Sequence, residues 1–446
     1  CASLVLSPLD KVWHLFQRPN WFPFRWAFLA SFFLLYLAVQ SLGAAEERLR
    51  AQGRLPARAG AAALAALTVL ELGFNARAIL GGLEGQFHSA SYREYREYYA
   101  ANAALTAAAR EDAEGRFFRM GAAEDRGHNS PLSFGYPGIT HYSSLYNYGV
   151  NRTLKALGFA QSWMWCAYYG STPVTDALLG VEYIVSKDDM PTGYERIAQA
   201  GELTLWKNPS ALPLAFCPEA LEETLWGGTP FERQNNLLCC LAGTGEPVFS
   251  PVSAQVSAGA GETVFTFTGT GRPVYADLSA SGLREVLVNG EHLLWLGSSE
   301  AASVHYLGTP NRGEAWTVAV RSAQGWSGRL WELDMDALGG AARRLDNTQI
   351  ASVEKNGRVR LAVEDETAGG LAATIPAEDG WTAWVDGKKT ETGRWLDTFL
   401  YVELPAGARE VELRYTPPGL VPGLGLGALA LAGLAAGRLR GKGRAS

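Results

Sequence analysis

Three groups of polar side chains have the types and spacing to do chemistry. His14, Arg18, Asn20 and Arg25 surround the aromatic-proline segment Pro19-Asn20-Trp21-Phe22-Pro23-Phe24. A guanidinium grips phosphate through a planar fork of donors. Arg18 and Arg25, with His14 and Asn20, are therefore candidates for a lipid-borne phosphate, with plain headgroup anchoring as the competing reading. Glu71 and Asn75 stand one helical turn apart in an apolar stretch. Carboxylates at membrane depth face protein or a water-filled cavity, so this pair are candidates for lining one, with snorkelling to the interface as the alternative. His141, Tyr142, Ser143, Ser144 and Asn147 fall in a polar and aromatic segment, His128 to Asn151. Tyr- and Ser-rich surfaces bind ligands, and the competing reading is a long packed loop.

Other chemistries lack their residues. There is no Gly-x-Ser-x-Gly elbow for a nucleophilic serine, and no phosphate-cradling glycine motif or metalloprotease helix. The five cysteines, Cys1, Cys166, Cys217, Cys239 and Cys240, fit neither a disulfide framework nor zinc spacing, so no metal is expected. Burial as small side chains is the blander reading of them, and the disulfide status of Cys239 and Cys240 stays open. Trp295, Trp316, Trp326, Trp331, Trp381, Trp384 and Trp395 could stack on sugars, but filling a sheet core is preferred. No catalytic residue is assigned. With 45 acidic against 39 basic residues, nucleic acid is not an expected partner.

The elements that must position these groups begin with three apolar stretches. Residues 26–45, 59–76 and 420–437 read as transmembrane helices, since a helix of such length crosses about 30 Å of hydrocarbon. Arg48, Arg50, Arg54 and Arg58 mark 46–58 as a cytoplasmic loop, and Arg438, Arg440, Lys442 and Arg444 mark 438–446 as a cytoplasmic tail. Lys11, Arg18 and Arg25 oppose that orientation. Residues 1–25 then form an external re-entrant or interfacial segment, because two prolines forbid a continuous helix. The large region between the second and third spans lies outside. The chain opens on Cys1 without a leader pattern, and the expectation is the C-terminal portion of a longer multi-spanning protein.

Residues 87–250 read as an extracytoplasmic α/β domain. A helix is expected over Ser91 to Gly115, further helices at Thr153 to Leu157 and Asp176 to Leu179, and strands at Arg116 to Met120, Val181 to Val185, Leu203 to Trp206 and Leu214 to Phe216. Residues 251–416 read as a β-sandwich region, in one or two modules, with similar halves near 251–325 and 350–416. Asn289-Gly290 and Asp386-Gly387, each between apolar runs, are strong hairpin signals.

Several phrases resemble the bacterial YfhO family. They are Trp13-His14-Leu15-Phe16-Gln17 with the segment Pro19 to Arg25, Glu71-Leu72-Gly73-Phe74-Asn75-Ala76, Gly138 to Asn147, Leu178 to Val185, Gly380 to Lys388 and Tyr415-Thr416-Pro417-Pro418-Gly419. The resemblance runs the length of the chain in order. It implies a multi-pass plasma-membrane protein of Gram-positive bacteria, similar to GT-C glycosyltransferases. These take sugar from a polyprenyl-phosphate carrier, here as co-substrate, and pass it to an envelope glycopolymer such as lipoteichoic acid. Membrane lipids, that lipid-linked sugar and the glycopolymer are the implied partners. On this reading His141, Tyr142, Ser143, Ser144 and Asn147 contact the acceptor glycan, and the catalytic acid lies outside this chain. The rival class is a non-catalytic, membrane-anchored glycan-binding protein.

Overall fold

The computed structural model describes residues 11–12, 16–17, 27–52, 57–86, 91–123, 126–162, 164–221, 227–259, 261–278, 283–295, 302–323, 326–354, 356–365 and 367–442. The candidate phosphate ligands His14, Arg18, Asn20 and Arg25 lie outside them. The chain divides into two units, Cys1–Tyr92 and Arg93–Ser446.

The described part of the first unit is dominated by two helices, α1 (Ala27–Ala51) and α2 (Ala57–Gln86). In the apolar part of each, Leu, Phe and Ala run round the helix rather than along one stripe. In α2 the stretch Ala62–Leu83 is long and apolar enough to cross a membrane. Of the three expected spans it alone, among the described residues, meets that length; Phe28–Ala44 and Leu420–Ala435 are shorter apolar stretches. Helix α1 continues past residue 45, with Arg48 and Arg50 in its last turn, because Ala, Glu, Arg and Leu are strong helix formers. Glu71 and Asn75 are exposed on α2.

The second unit opens with α3 (Tyr92–Asp112), which buries Asn102, Leu105, Thr106 and Ala109 along one face. It covers a mixed sheet of β1 (Arg119–Ala122), β4 (Val181–Ser186), β6 (Leu203–Lys207) and β5 (Glu195–Ala200), in that order across. The β1–β4 pair is parallel and therefore needs a long crossover. The crossover holds α4 (Ser130–Phe134), β2 (His141–Tyr142), α5 (Tyr148–Ala156), β3 (Trp165–Cys166) and α6 (Pro173–Leu178). Alternation along β4 sends Tyr183 and Val185 into the core under α3. Ile184 joins the opposite core, with α6, α7 (Pro230–Ala242) and α8 (Met335–Leu345).

Two sandwiches follow. The first sets β9 (Gln255–Ala258), β10 (Glu262–Thr268), β15 (Ala315–Ser322), β12 (Leu283–Val288) and β13 (Glu291–Trp295), in spatial order, against β8 (Phe249–Pro251), β16 (Leu330–Leu333), β11 (Val274–Asp277) and β14 (Val304–Gly308). Phe265, Phe267, Val286, Trp316 and Val318 from one sheet meet Val274, Ala276, Leu307 and Leu330 from the other. In the second, β17 (Thr348–Glu354), β18 (Arg358–Val363), β24 (Glu410–Tyr415), β20 (Trp381–Val385) and β21 (Lys388–Thr390) repeat that five-strand order position for position. Their partners are β22 (Thr392–Trp395), β23 (Phe399–Glu403), β19 (Gly370–Pro376) and, from far upstream, β7 (Ala215–Phe216). Beside β19, β7 takes the place that β16 holds beside β11.

Both expected hairpins form, with positive φ at Asn289 and Gly290 and at Asp386 and Gly387, the mark of a type I′ turn. Each turn is tied to the matching strand: Asn289 Oδ1 accepts from Thr317 N at 2.9 Å, and Asp386 Oδ1 from Glu410 N at 2.9 Å. Trp316, Trp326, Trp331 and Trp395 are buried in cores, Trp381 and Trp384 half-buried. The chain closes with α9 (Leu420–Lys442).

Candidate functional site

A cavity of about 530 Å³ opens where the crossover meets the first sandwich. Trp165, Tyr168, Tyr169 and Tyr194 line it from the α/β side, and Tyr275, His305 and Tyr306 from β11 and β14. His128 stacks on Trp165 with ring centroids 4.2 Å apart and planes within 4°. The exposed Asp188 and Asp189, just past β4, also line it.

Asp176, on α6, is the buried charge of this cavity, at 1% exposure. Its Oδ2 accepts from the Tyr168 hydroxyl at 2.8 Å and the Tyr194 hydroxyl at 2.6 Å. Its Oδ1, like the Tyr275 hydroxyl, is buried outside good hydrogen-bonding reach of any donor, although the Ser171 hydroxyl stands close enough to favour the carboxylate form. Helix α6 is fixed from its start. Pro173 opens it, Thr172 caps it through Thr175 N, and the Thr172 hydroxyl donates to Gln234 Oε1 on α7 at 2.7 Å. Gln234 Nε2 in turn donates to Leu157 O at 2.8 Å. The opposite wall depends on two glycines. Gly170 has φ +87° and a Cβ there would lie 2.3 Å from Gly158 O; at Gly158, φ +110°, it would lie 2.4 Å from Val304 Cγ2. Only Gly lets these backbones meet.

Burial raises the Asp176 carboxyl to about 7, against the opposing pull of the Tyr194, Tyr168 and Ser171 hydroxyls. Near neutral pH it is thus shared between acid and carboxylate. Burial also pushes the Tyr168, Tyr194 and Tyr275 phenols well above their ordinary range, so they stay protonated donors. Burial pulls His305 below the usual histidine range, against the Ala302 carbonyl, which accepts from its Nε2 at 2.8 Å. A neutral imidazole follows. The site can donate from phenols, accept at one carboxyl oxygen and stack a ring.

The polar cluster predicted from sequence lies beside this cavity, not in its lining. His141 and Tyr142 form β2, paired with β3, and Cys166 Sγ lies 3.0 Å from His141 Nδ1. Burial lifts that thiol to about 12, so it is no nucleophile. Ser143 Oγ accepts from Leu145 N at 3.1 Å, closing a local turn, and Ser144 is exposed. Asn147 caps α5 through Val150 N at 3.1 Å. Glu71 and Asn75 belong to the other unit. Sequence reasoning missed Asp176 and its tyrosines; the available signal was one acid in Pro173 to Val181, a stretch with no other charge.

The chain is similar to solved β-glucuronidases only distantly. The Ruminococcus gnavus β-glucuronidase in complex with D-glucuronic acid is 8% identical at a TM-score of 0.14, over 35% of this chain and 34% of that one. The Eisenbergiella tayi GH2 β-galacturonidase bound to galacturonate is 13% identical at 0.13, over 36% and 30%. The chain thus spans about a third of the length of these enzymes, and such scores carry no argument about activity. A search of curated proteins finds no match. Residues 1–57 and 53–427 match the family described as bacterial membrane protein YfhO. With that match over nearly its whole length, and an apolar helix fit to cross a bilayer ahead of its sheets, the chain belongs to the YfhO family of bacterial membrane proteins.

Proposed function

We propose that this chain is the C-terminal part of a multi-pass membrane glycosyltransferase that moves sugar from a polyprenyl-phosphate donor to an envelope glycopolymer such as lipoteichoic acid, on the outer face of a Gram-positive plasma membrane. The observation that carries the reading is the cavity at Asp176: phenol donors, a carboxyl acceptor and aromatic faces are what a sugar ring requires. Helices α1, α2 and α9 serve as the spans, with Glu71 and Asn75 beside a water-filled path. A departing polyprenyl phosphate needs fixed positive charge, and Arg18 and Arg25 have the chemistry for it.

In cells lacking the native gene, Arg18→Ala and Arg25→Ala should each abolish polymer glycosylation at unchanged protein level. Wild-type glycosylation in both would remove the donor assignment. The anchored glycan-binding protein has the same cavity without donor chemistry. It predicts that deleting the gene leaves the polymer's sugar content intact.

A further inference from the structure

No Lys or Arg is among the described residues that line the Asp176 cavity, whereas Asp176, Asp188 and Asp189 all do. An isolated buried carboxylate is costly until it gains a proton or a cation. Asp176 keeps one oxygen, Oδ1, buried without a well-placed donor, while its other oxygen is fully engaged by two phenols. Much of the remaining wall is aromatic, and a ring face attracts a cation through its quadrupole. Two ligand chemistries are disfavoured together. A uronate or phosphate would meet three acidic side chains with no Lys or Arg among the described lining residues. A wholly neutral sugar would pair only with the protonated acid and would gain nothing from the carboxylate form.

We propose that the cavity is a subsite for a saccharide unit bearing a protonated amine, its ammonium pairing with Asp176 Oδ1 and its ring packing on the aromatic wall. The saccharide part rests on the glycan reading above; the charge preference rests on the lining alone. Asp188 and Asp189, exposed at the solvent side, add attraction for the same cation. Because the Asp176 carboxyl is half-protonated near neutral pH, pairing with an ammonium releases a proton, and the preference for the amine grows as the carboxylate form fills.

The full chain in nanodiscs is titrated by ligand-observed NMR with methyl glucosaminide, methyl N-acetylglucosaminide and methyl glucuronide. The amine should bind about tenfold tighter than its N-acetyl form, the lower end of what one hydrogen bond to a charged group contributes, and the glucuronide most weakly. Asp176→Asn, of nearly unchanged shape, should abolish that preference. The surface pair Asp188→Asn with Asp189→Asn should reduce it without disturbing the fold. Equal binding of the amine and N-acetyl forms would overturn the charge preference and leave a glycan site standing. Binding of none of the three would overturn the glycan site with it. A preference that persists in Asp176→Asn would place the amine elsewhere and overturn the assignment.

Discussion

Asp176 is a buried acid whose Oδ2 is held by two phenols and whose Oδ1 has no well-placed donor. The sign of its effect on stability follows from linkage. Its folded carboxyl titrates at about 7, above the ordinary 3.8, so the folded state binds the proton more tightly. The stability this contributes is whole below pH 4 and lost as pH rises through about 7. Asn at this position does not titrate. Relative to wild type, Asp176→Asn should therefore gain melting temperature between pH 5 and pH 8, by an amount equivalent to a few kcal/mol or less. A difference that stays flat across that range would mean the carboxyl is not held near neutrality. At Gly170, Ala adds both a positive-φ cost of about 1–2 kcal/mol and a clash with Gly158 O. Gly313 shares the positive φ but has open space around it. Gly170→Ala should thus lower the melting temperature clearly more than Gly313→Ala, and equal losses would show that the wall yields freely.

At the scale of elements, the second sandwich is completed from outside its own stretch of chain. Strand β7 pairs with β19 through Ala215 and Phe216, and Asn347 holds the residue after it, accepting from Cys217 N at 2.8 Å and donating to Cys217 O at 2.7 Å. Replacing Asn347 by Ala strands both backbone groups, at about 1–3 kcal/mol each. The expected outcome is faster amide exchange at residues 215–217 and along β19 at 371–374, with β20 and β24 unaffected. Uniform protection in the variant would mean that β7 is held by packing alone. The same strand explains why the two sandwiches match in their five-stranded sheets and differ opposite them. In the first, β16 follows β15 directly and fills the place beside β11. In the second the chain leaves β24 for α9, so that place falls to a strand made far earlier.

At the scale of the molecule, the family match makes this a membrane protein, and α2 supplies a helix fit to cross the bilayer. The three-span arrangement makes a separate claim about sides. Protease added to intact spheroplasts should digest the region from 92 to 416 while an epitope placed after residue 446 stays protected. Loss of the epitope with the middle region intact would reverse the orientation. On the proposed arrangement, Arg48 and Arg50, in the last turn of α1, are charges of the cytoplasmic side.

What the amino-acid sequence determined by itself is what short-range physics controls. Apolar stretches, the second broken only by Glu71, announce the helices α1, α2 and α9 because length and composition alone mark them. Asn289-Gly290 and Asp386-Gly387 announce their hairpins because few other residues accept positive φ twice running. The change after Pro251 from mixed helices and strands to a region made mostly of strands was legible for the same reason, whereas α8, which joins the two sandwiches, was not. The cavity was not. Its wall joins Trp165, Tyr168 and Tyr194 to Tyr275 and Tyr306, residues no periodicity relates, and only the packing of the crossover on the first sandwich brings them together. Asp176 sits in a helix of six residues, too short for a pattern to show which face is buried. Ser143 and the Asn147 oxygen, conspicuous in sequence, are consumed by a local turn and a helix cap, because polar side chains close to their own backbone bond there first, while the Asn147 Nδ2 donates to Glu378 at 3.3 Å. Tertiary structure decided the site because the desolvation that gives Asp176 its chemistry is a property of its neighbours, and those neighbours come from three separate stretches of chain.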